Sequence, residues 1–204
     1  MARSGTYTFT VTRDDIINQA LIDVGALDPE GGTASATQVI NAALVLNMLI
    51  KSWHVSGMHL WTRQMVSIPL TGSATYSLGT SSVRPLRVVD GYIRAMAGND
   101  TPIRVISKDE YNRFGLKTST GVSVNVYYDP QLDNGIIYAY PLASTGTLWL
   151  ECEYPLMDFA ASTDNPDVPQ EWYNALRWNL SKELALGYGV PPTRYGVIKN
   201  EAAE

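Results

Sequence analysis

Cysteine is almost missing from this chain of 204 residues: Cys152 stands alone, so no disulfide within the chain holds the fold, and a reducing, intracellular setting fits. Histidine occurs twice, at His54 and His59, five apart. That is off the i, i+4 spacing of a helical zinc pair, and no cysteine accompanies them. Charge is sparse, 17% against 45% hydrophobic, the side on which obligate interfaces fall. No apolar run reaches membrane-span length, and no signal-peptide pattern opens the chain. The common catalytic and phosphate-binding signatures are missing too. Gly31-Gly32 follows Asp28 and Glu30, which repel phosphate, and no lysine comes after it. Gly79-Thr80-Ser81-Ser82 lacks the second glycine of a nucleophile elbow. The stretch from Asp129 to Gly135 faintly resembles a calcium loop, but Tyr140 stands where a bidentate carboxylate is required. A pI near 5.0 argues against affinity for nucleic acid. The reading is a protein with no cofactor, no metal and no catalytic constellation.

What is present in abundance is neutral helix. Residues 35–55 carry a single charged side chain, Lys51, in 21 positions. At 100° per residue, Val39, Ala42, Ala43, Leu46, Leu49, Ile50 and Trp53 form one apolar arc for an ordinary core. The opposite face should be charged and is not: Ile40, Leu44 and Met48 make a second ridge at i, i+4, i+8, flanked by Asn41, Asn47 and Ser52. A helix that is apolar or neutral almost all round is covered on more than one side. Either the rest of the chain wraps it or another subunit does, and Ile40, Asn41, Leu44, Asn47 and Met48 are the candidate subunit interface.

Charge is segregated along the chain. From Arg84 to Lys117 there are seven basic residues (Arg84, Arg87, Arg94, Arg104, Lys108, Arg113, Lys117) against four acids. From 118 to 176 there is no basic residue and there are eight acids: Asp129, Asp133, Glu151, Glu153, Asp158, Asp164, Asp167 and Glu171. In a ring, the two segments of adjacent subunits face each other, with Arg84, Arg87, Arg94 and Arg104 opposite Asp129, Asp133, Glu151 and Glu153. Alternatively both segments share one sheet and compensate locally.

The periodicities divide the chain. Thr12 followed by Asp14 and Asp15 caps a first helix with stripe Ile16, Ile17, Ala20, Leu21 and Val24, stopped by Gly25. Ser35 with Gln38 opens the second helix. The period then drops to two: Val66, Ile68, Leu70; Val122, Val124, Val126, Tyr128; Ile136, Tyr138, Tyr140; and Leu148, Leu150, Cys152, Tyr154. Asp133-Asn134-Gly135 signals a tight turn, and further strands are expected at 86–97 and 103–106. Ser107 with Glu110 caps a short interrupting helix. Pro169 opens a last helix with the ridge Trp172, Leu176, Leu180 and Leu184, and Val190-Pro191-Pro192 ends it. The fold class is α+β: a small helical bundle from the two ends of the chain (1–62 and 161–192), an inserted antiparallel β-sandwich or barrel of six to eight strands (63–160), and a mobile tail (193–204) poor in apolar residues. Cys152 faces the core with Leu148 and Leu150, and Trp149 points the other way.

Several of these segments resemble a known family in order. Asn41-Ala42-Ala43-Leu44, Leu46-Asn47-Met48-Leu49-Ile50, Ser52-Trp53 and Gly57 resemble the "LNxMLxxW…G" helix of podovirus head-to-tail adaptor proteins, the tail accessory factor and tubular tail protein A type, also called gatekeepers or connectors. So do Arg84-Pro85-Leu86-Arg87-Val88, Tyr127-Tyr128-Asp129-Pro130, Asn134-Gly135-Ile136-Ile137-Tyr138-Ala139-Tyr140-Pro141, Val168-Pro169-Gln170-Glu171-Trp172 and Tyr188-Gly189-Val190-Pro191. The resemblance implies a non-enzymatic virion protein at the head–tail junction, assembled in the host cytoplasm as a ring of about twelve copies beneath the portal protein. Such a ring extends the channel for double-stranded DNA, which passes without specific binding. It helps retain the packaged genome, and it carries the tail nozzle and the fibres or spikes. The family's C-terminal segment docks on the portal, which assigns that contact here to Thr193, Arg194, Tyr195 and Lys199; the segment beyond Pro192 is short for this role. Two other readings fit the composition: a carbohydrate-binding β-sandwich using Trp149, and a virion-associated cell-wall hydrolase using two of the acids.

Overall fold

A computed structural model describes residues 5–55, 61–79, 83–132 and 134–203, apart from the side chains of residues 54 and 55. His59, Asp133, Gly57 and the stretch from Thr80 to Ser82 lie outside the described residues, as does the side chain of His54. The chain is α+β. It divides into two compact units, Met1–Met58 together with Leu156–Glu204, and His59–Pro155.

The helical unit begins at α1 (Arg13–Asp23). The Thr12 hydroxyl accepts from the Asp15 N–H, and the Asp15 carboxylate accepts from the Thr12 N–H, so two orphan donors at the helix start are satisfied reciprocally. Ile16, Ile17, Ala20 and Leu21 are buried, as their spacing requires. Gly25, at φ +77°, turns the chain where a side chain would be strained. Helix α2 (Ala36–Val55) opens on the expected box, with the Gln38 side chain accepting from Ser35 N–H and Ser35 Oγ from Gln38 N–H. Its inward arc is Ala42, Leu46, Leu49, Ile50 and Trp53.

The last helix differs at its start. Pro169 leads into one turn of 3₁₀ (Gln170–Trp172) before α4 (Tyr173–Ala185), whose Leu176, Leu180 and Leu184 are buried against α1 and α2. Arg177 donates two hydrogen bonds, 2.7 and 2.6 Å, to the nearly buried Asp23 at the end of α1, and Ser181 adds a third. The tail expected to be mobile is instead a helix, α5 (Pro192–Glu201), packed on α4. Pro192 cannot continue the preceding helix but suits the first position of a new one. Its apolar anchor is Ile198, which is fully buried.

Among the described residues, the β unit has eight strands in two four-stranded sheets, neither closed into a barrel. One sheet runs β1 (Arg63–Pro69), β8 (Thr147–Glu153), β3 (Arg87–Arg94), β4 (Asp100–Pro102). The other runs β2 (Thr75–Leu78), β7 (Gly135–Tyr140), β6 (Asn125–Pro130), β5 (Arg104–Ile106). The second sheet is mixed, not antiparallel throughout, because β5 and β6 run parallel. Strand β6 starts later than its alternation suggested, leaving Val122 and Val124 exposed ahead of it. One apolar core takes Ile68, Val88, Ile93, Leu148, Leu150 and Cys152 from the first sheet and Leu78, Val126, Tyr128 and Ile137 from the second.

The short helix α3 (Lys108–Asn112), capped by Ser107 and Glu110 as expected, has a packing reason. It lays Tyr111 over the outer face of the second sheet, 5.8 Å from Tyr127 and 5.2 Å from Tyr138 between ring centres, while Phe114 just beyond it stacks 4.0 Å over Tyr140.

Candidate functional site

The outward ridge of α2 is the feature that sets this chain apart from a self-contained fold. Ile40, Leu44 and Met48 are 68%, 56% and 61% exposed, one above the other on successive turns, with Asn41 exposed beside them. Covering each of the three would contribute on the order of 1–2 kcal/mol, less than full transfer because each is already partly shielded. The helix presents no charge along this ridge. Lys51, its one charged residue, is turned aside: its ammonium lies 2.5 Å from an Asp158 carboxylate oxygen and donates to the Leu156 carbonyl at 3.1 Å.

Asn47, grouped with the ridge by spacing, is engaged within its own unit. Its amide donates to the Phe159 carbonyl (3.1 Å) and accepts from the Phe159 N–H (3.0 Å). An asparagine that reproduces a backbone hydrogen-bond pair in this way staples the segment after β8 to α2. Asp164 continues the staple. One of its carboxylate oxygens accepts from the N–H groups of Ala160 and Ala161, and its carbonyl accepts from Arg13 N–H at the start of α1. Those two N–H groups hold the Asp164 carboxyl below the ordinary aspartate range.

Five of the eight charged residues expected to meet across subunits form ion pairs within the chain. Arg87 Nε lies 2.5 Å from Glu153, and Arg63 Nε 3.2 Å from it, so the fully buried Glu153 is clamped by the strands on both sides of β8. Arg94 pairs with Asp100, Arg104 with Glu110, and Glu151 with Arg63. Arg84 is half-buried and donates to the Pro85 carbonyl, while Asp129 accepts from Gln131. For Arg87 and Glu153 the segregated charges therefore compensate within one sheet, because β3 and β8 are neighbours. Of the eight charges grouped for contacts between subunits, Arg87, Arg94, Arg104, Glu151 and Glu153 need no second chain to be neutralised.

Helix α5 places the tail residues individually. Arg194 reaches back to the C-terminal end of α1, donating to the Ile22 carbonyl at 2.9 Å, where the negative end of the helix dipole favours a cation. Its guanidinium fills the space in which a side chain on Gly25 would sit, 2.5 Å from the position of a Cβ there. Tyr195 is half-buried, and Thr193, Lys199 and Val197 are exposed. Val197 escaped the sequence reading because a lone valine in a polar segment carries no periodic signal; only the helix sets it one turn from Thr193 on the open side.

Other chemistry is poorly supported by position. Cys152 is buried, and burial pushes its thiol up to about 12, away from nucleophilic use. Trp149, opposite the core face as alternation requires, is stacked 6.3 Å from Tyr92 with the Arg94 guanidinium 5.7 Å above it, so its faces are occupied. Among the described residues no helix is long and apolar enough to cross a membrane.

The comparison with protein families agrees with the surface. A family model described as SU10 adaptor protein matches residues 11–190, from just before α1 through both sheets to the break ahead of α5. No curated protein matches the chain. A match across this span, on a chain whose most prominent open feature is an uncharged helix ridge, places it: the chain belongs to the SU10 adaptor protein family, a family of phage adaptor proteins.

Proposed function

We propose that this chain is the head–tail adaptor of a phage virion, a non-enzymatic connector that assembles as a ring beneath the portal. Its copies, about twelve, meet through the α2 ridge of Ile40, Asn41, Leu44 and Met48. The observation that carries the reading is that ridge, three large apolar side chains left open on successive turns of one helix. In an adaptor ring the helical unit faces the portal, with Thr193, Lys199 and Val197 of α5 as the contact. The inserted β unit, read as a sandwich, offers its outer faces to the nozzle and to fibres or spikes. With a net charge of −5, such a channel lets duplex DNA slide without adhering.

The test is the mass of the protein in solution, alone and mixed with portal protein, because an adaptor of this kind can stay monomeric until it meets the portal. A stable complex with many copies of this chain on the portal is the expected result. The double variant Leu44→Glu/Met48→Glu should remain a folded monomer and fail to enter that complex. Normal assembly of the variant overturns the interface. Failure of the unaltered protein to associate with the portal overturns the function.

A further inference from the structure

Ahead of α1 lies a segment whose sequence and structure disagree. Residues 6–12 read Thr-Tyr-Thr-Phe-Thr-Val-Thr: seven consecutive β-branched or aromatic residues, no charge, and strict alternation of Tyr7, Phe9 and Val11 with threonine. No other stretch of the chain is written so consistently for a strand. Yet residues 5–12 belong to no helix and no sheet. Tyr7 is 91% and Phe9 66% exposed. At its middle the segment touches the helical unit lightly: Gln170 donates to the Tyr7 carbonyl, and the Phe9 ring lies 6.1 Å from that of Tyr173. Among the described residues, the backbone groups of Thr8, Phe9 and Thr10 have no hydrogen-bond partner.

The same chain carries a sheet edge of matching length. Strand β1 is the outermost of its sheet, and its seven residues pair with β8 without a bulge, Arg63↔Glu153 through Pro69↔Thr147. The other edge strands are short, three residues for β4 and β5 and four for β2. Edges are normally blunted by central charges, proline or bulges. Here Arg63 and Pro69 stand at the two ends and Gln64-Met65-Val66-Ser67-Ile68 between them is open. Val66 and Ile68 face the core and Met65 is half-exposed on the other side. A seven-residue strand spans about 23 Å, the length of this edge. Laid beside it, Tyr7, Phe9 and Val11 would extend the core past Val66 and Ile68, and Thr8 and Thr10 would share the face of Met65 and Ser67.

We propose that residues 6–12 of one copy add as an edge strand to β1 of the neighbouring copy, so that each subunit both gives and receives a strand around the assembly. The contact is head-to-tail, the kind that closes a ring when the rotation between copies divides the circle. This inference rests on the ring reading and names a contact in it distinct from the α2 ridge.

The test uses mixed assemblies of full-length chains on the portal. One chain carries Thr8→Cys or Thr10→Cys, and the other carries Met65→Cys or Ser67→Cys. Mild oxidation should link the two chains into a disulfide heterodimer in at least one of the four pairings. The linked fraction should drop at least tenfold when Thr8→Pro/Phe9→Pro is added to the donor. Adjacent N–H groups point to opposite edges, so this change removes a ladder donor whichever way the segment faces. The proline variant should lose at most a few degrees of melting temperature, since it removes no internal hydrogen bond and only the half-exposed Phe9–Tyr173 contact. Rings of normal mass with no linkage in any pairing overturn the strand exchange and leave the adaptor reading standing. A disulfide that forms only within a chain bearing both cysteines also overturns it, showing that the segment folds onto its own β1. If the unaltered protein forms no assembly on the portal, both readings fall.

Discussion

Single residues carry the internal order of each unit, and most of them are polar. Glu153 is the sharpest case: a fully buried carboxylate between two arginines whose own side chains keep 39% and 61% of their exposure. Truncating the acid strips a buried position of its hydrogen bonds but leaves the arginines able to reach water. Glu153→Ala should therefore cost about 2 kcal/mol in denaturant unfolding, less than breaking a fully enclosed ion pair. Arg87→Ala should cost less, because Arg63 still holds the carboxylate. Asn47→Ala should cost about 1–2 kcal/mol, since the Phe159 N–H and carbonyl both lose their partner. Asp164 makes a pH prediction. Its folded pKa is lowered, so its contribution is complete above the unfolded value of 3.8 and is lost as pH falls through the folded value. The melting-temperature gap between the wild type and Asp164→Ala should be constant from neutral pH to about pH 5 and shrink below about pH 4. A gap that persists at pH 2 would show that the carboxylate is not what holds residues 160–164. None of Asn47, Asp164 or the Asp23–Arg177 pair was legible beforehand: each joins positions more than a hundred residues apart or satisfies a backbone whose path the fold alone decides.

At the scale of elements, helix starts were legible and helix fates were not. The capping boxes at Thr12, Ser35 and Ser107 are local chemistry, complete within four residues, and all three form as spaced. Strands β2 and β4 gave no periodic signal because three or four residues cannot display one; they exist as partners of β7 and β3. Helix α5 shows the same dependence. Its composition is that of a mobile tail, yet Ile198 seats it on α4, and the Asn179 amide donates to the Ala202 carbonyl near its end. Removing 193–204 would therefore uncover part of α4 and should lower the melting temperature, so it cannot isolate portal contact. Val197→Asp/Lys199→Glu changes only exposed positions of α5. It should leave the melting temperature within a degree or two and weaken binding to the portal; unchanged affinity would remove α5 from the docking surface.

For the whole molecule, the division into two units predicts separable folding. The β unit holds its own two-sheet core, so residues 59–155 expressed alone should unfold cooperatively, as followed by circular dichroism and tyrosine fluorescence. A non-cooperative melt would mean that the core depends on the helical unit. The residues alone determined the class of the protein: the change of period from 3.6 to two and back, the neutral helix, and the near-absence of cysteine and histidine are all properties of spacing and composition. They also placed Ile40, Leu44 and Met48 on one ridge, because helix geometry is the same in every protein. Whether anything in the chain covers that ridge, whether Glu153 meets Arg87 or a neighbour, and whether 193–204 finds a seat were decided only by tertiary structure. Each is a question of which distant surfaces meet, and burial and charge pairing depend on neighbours that no local pattern specifies.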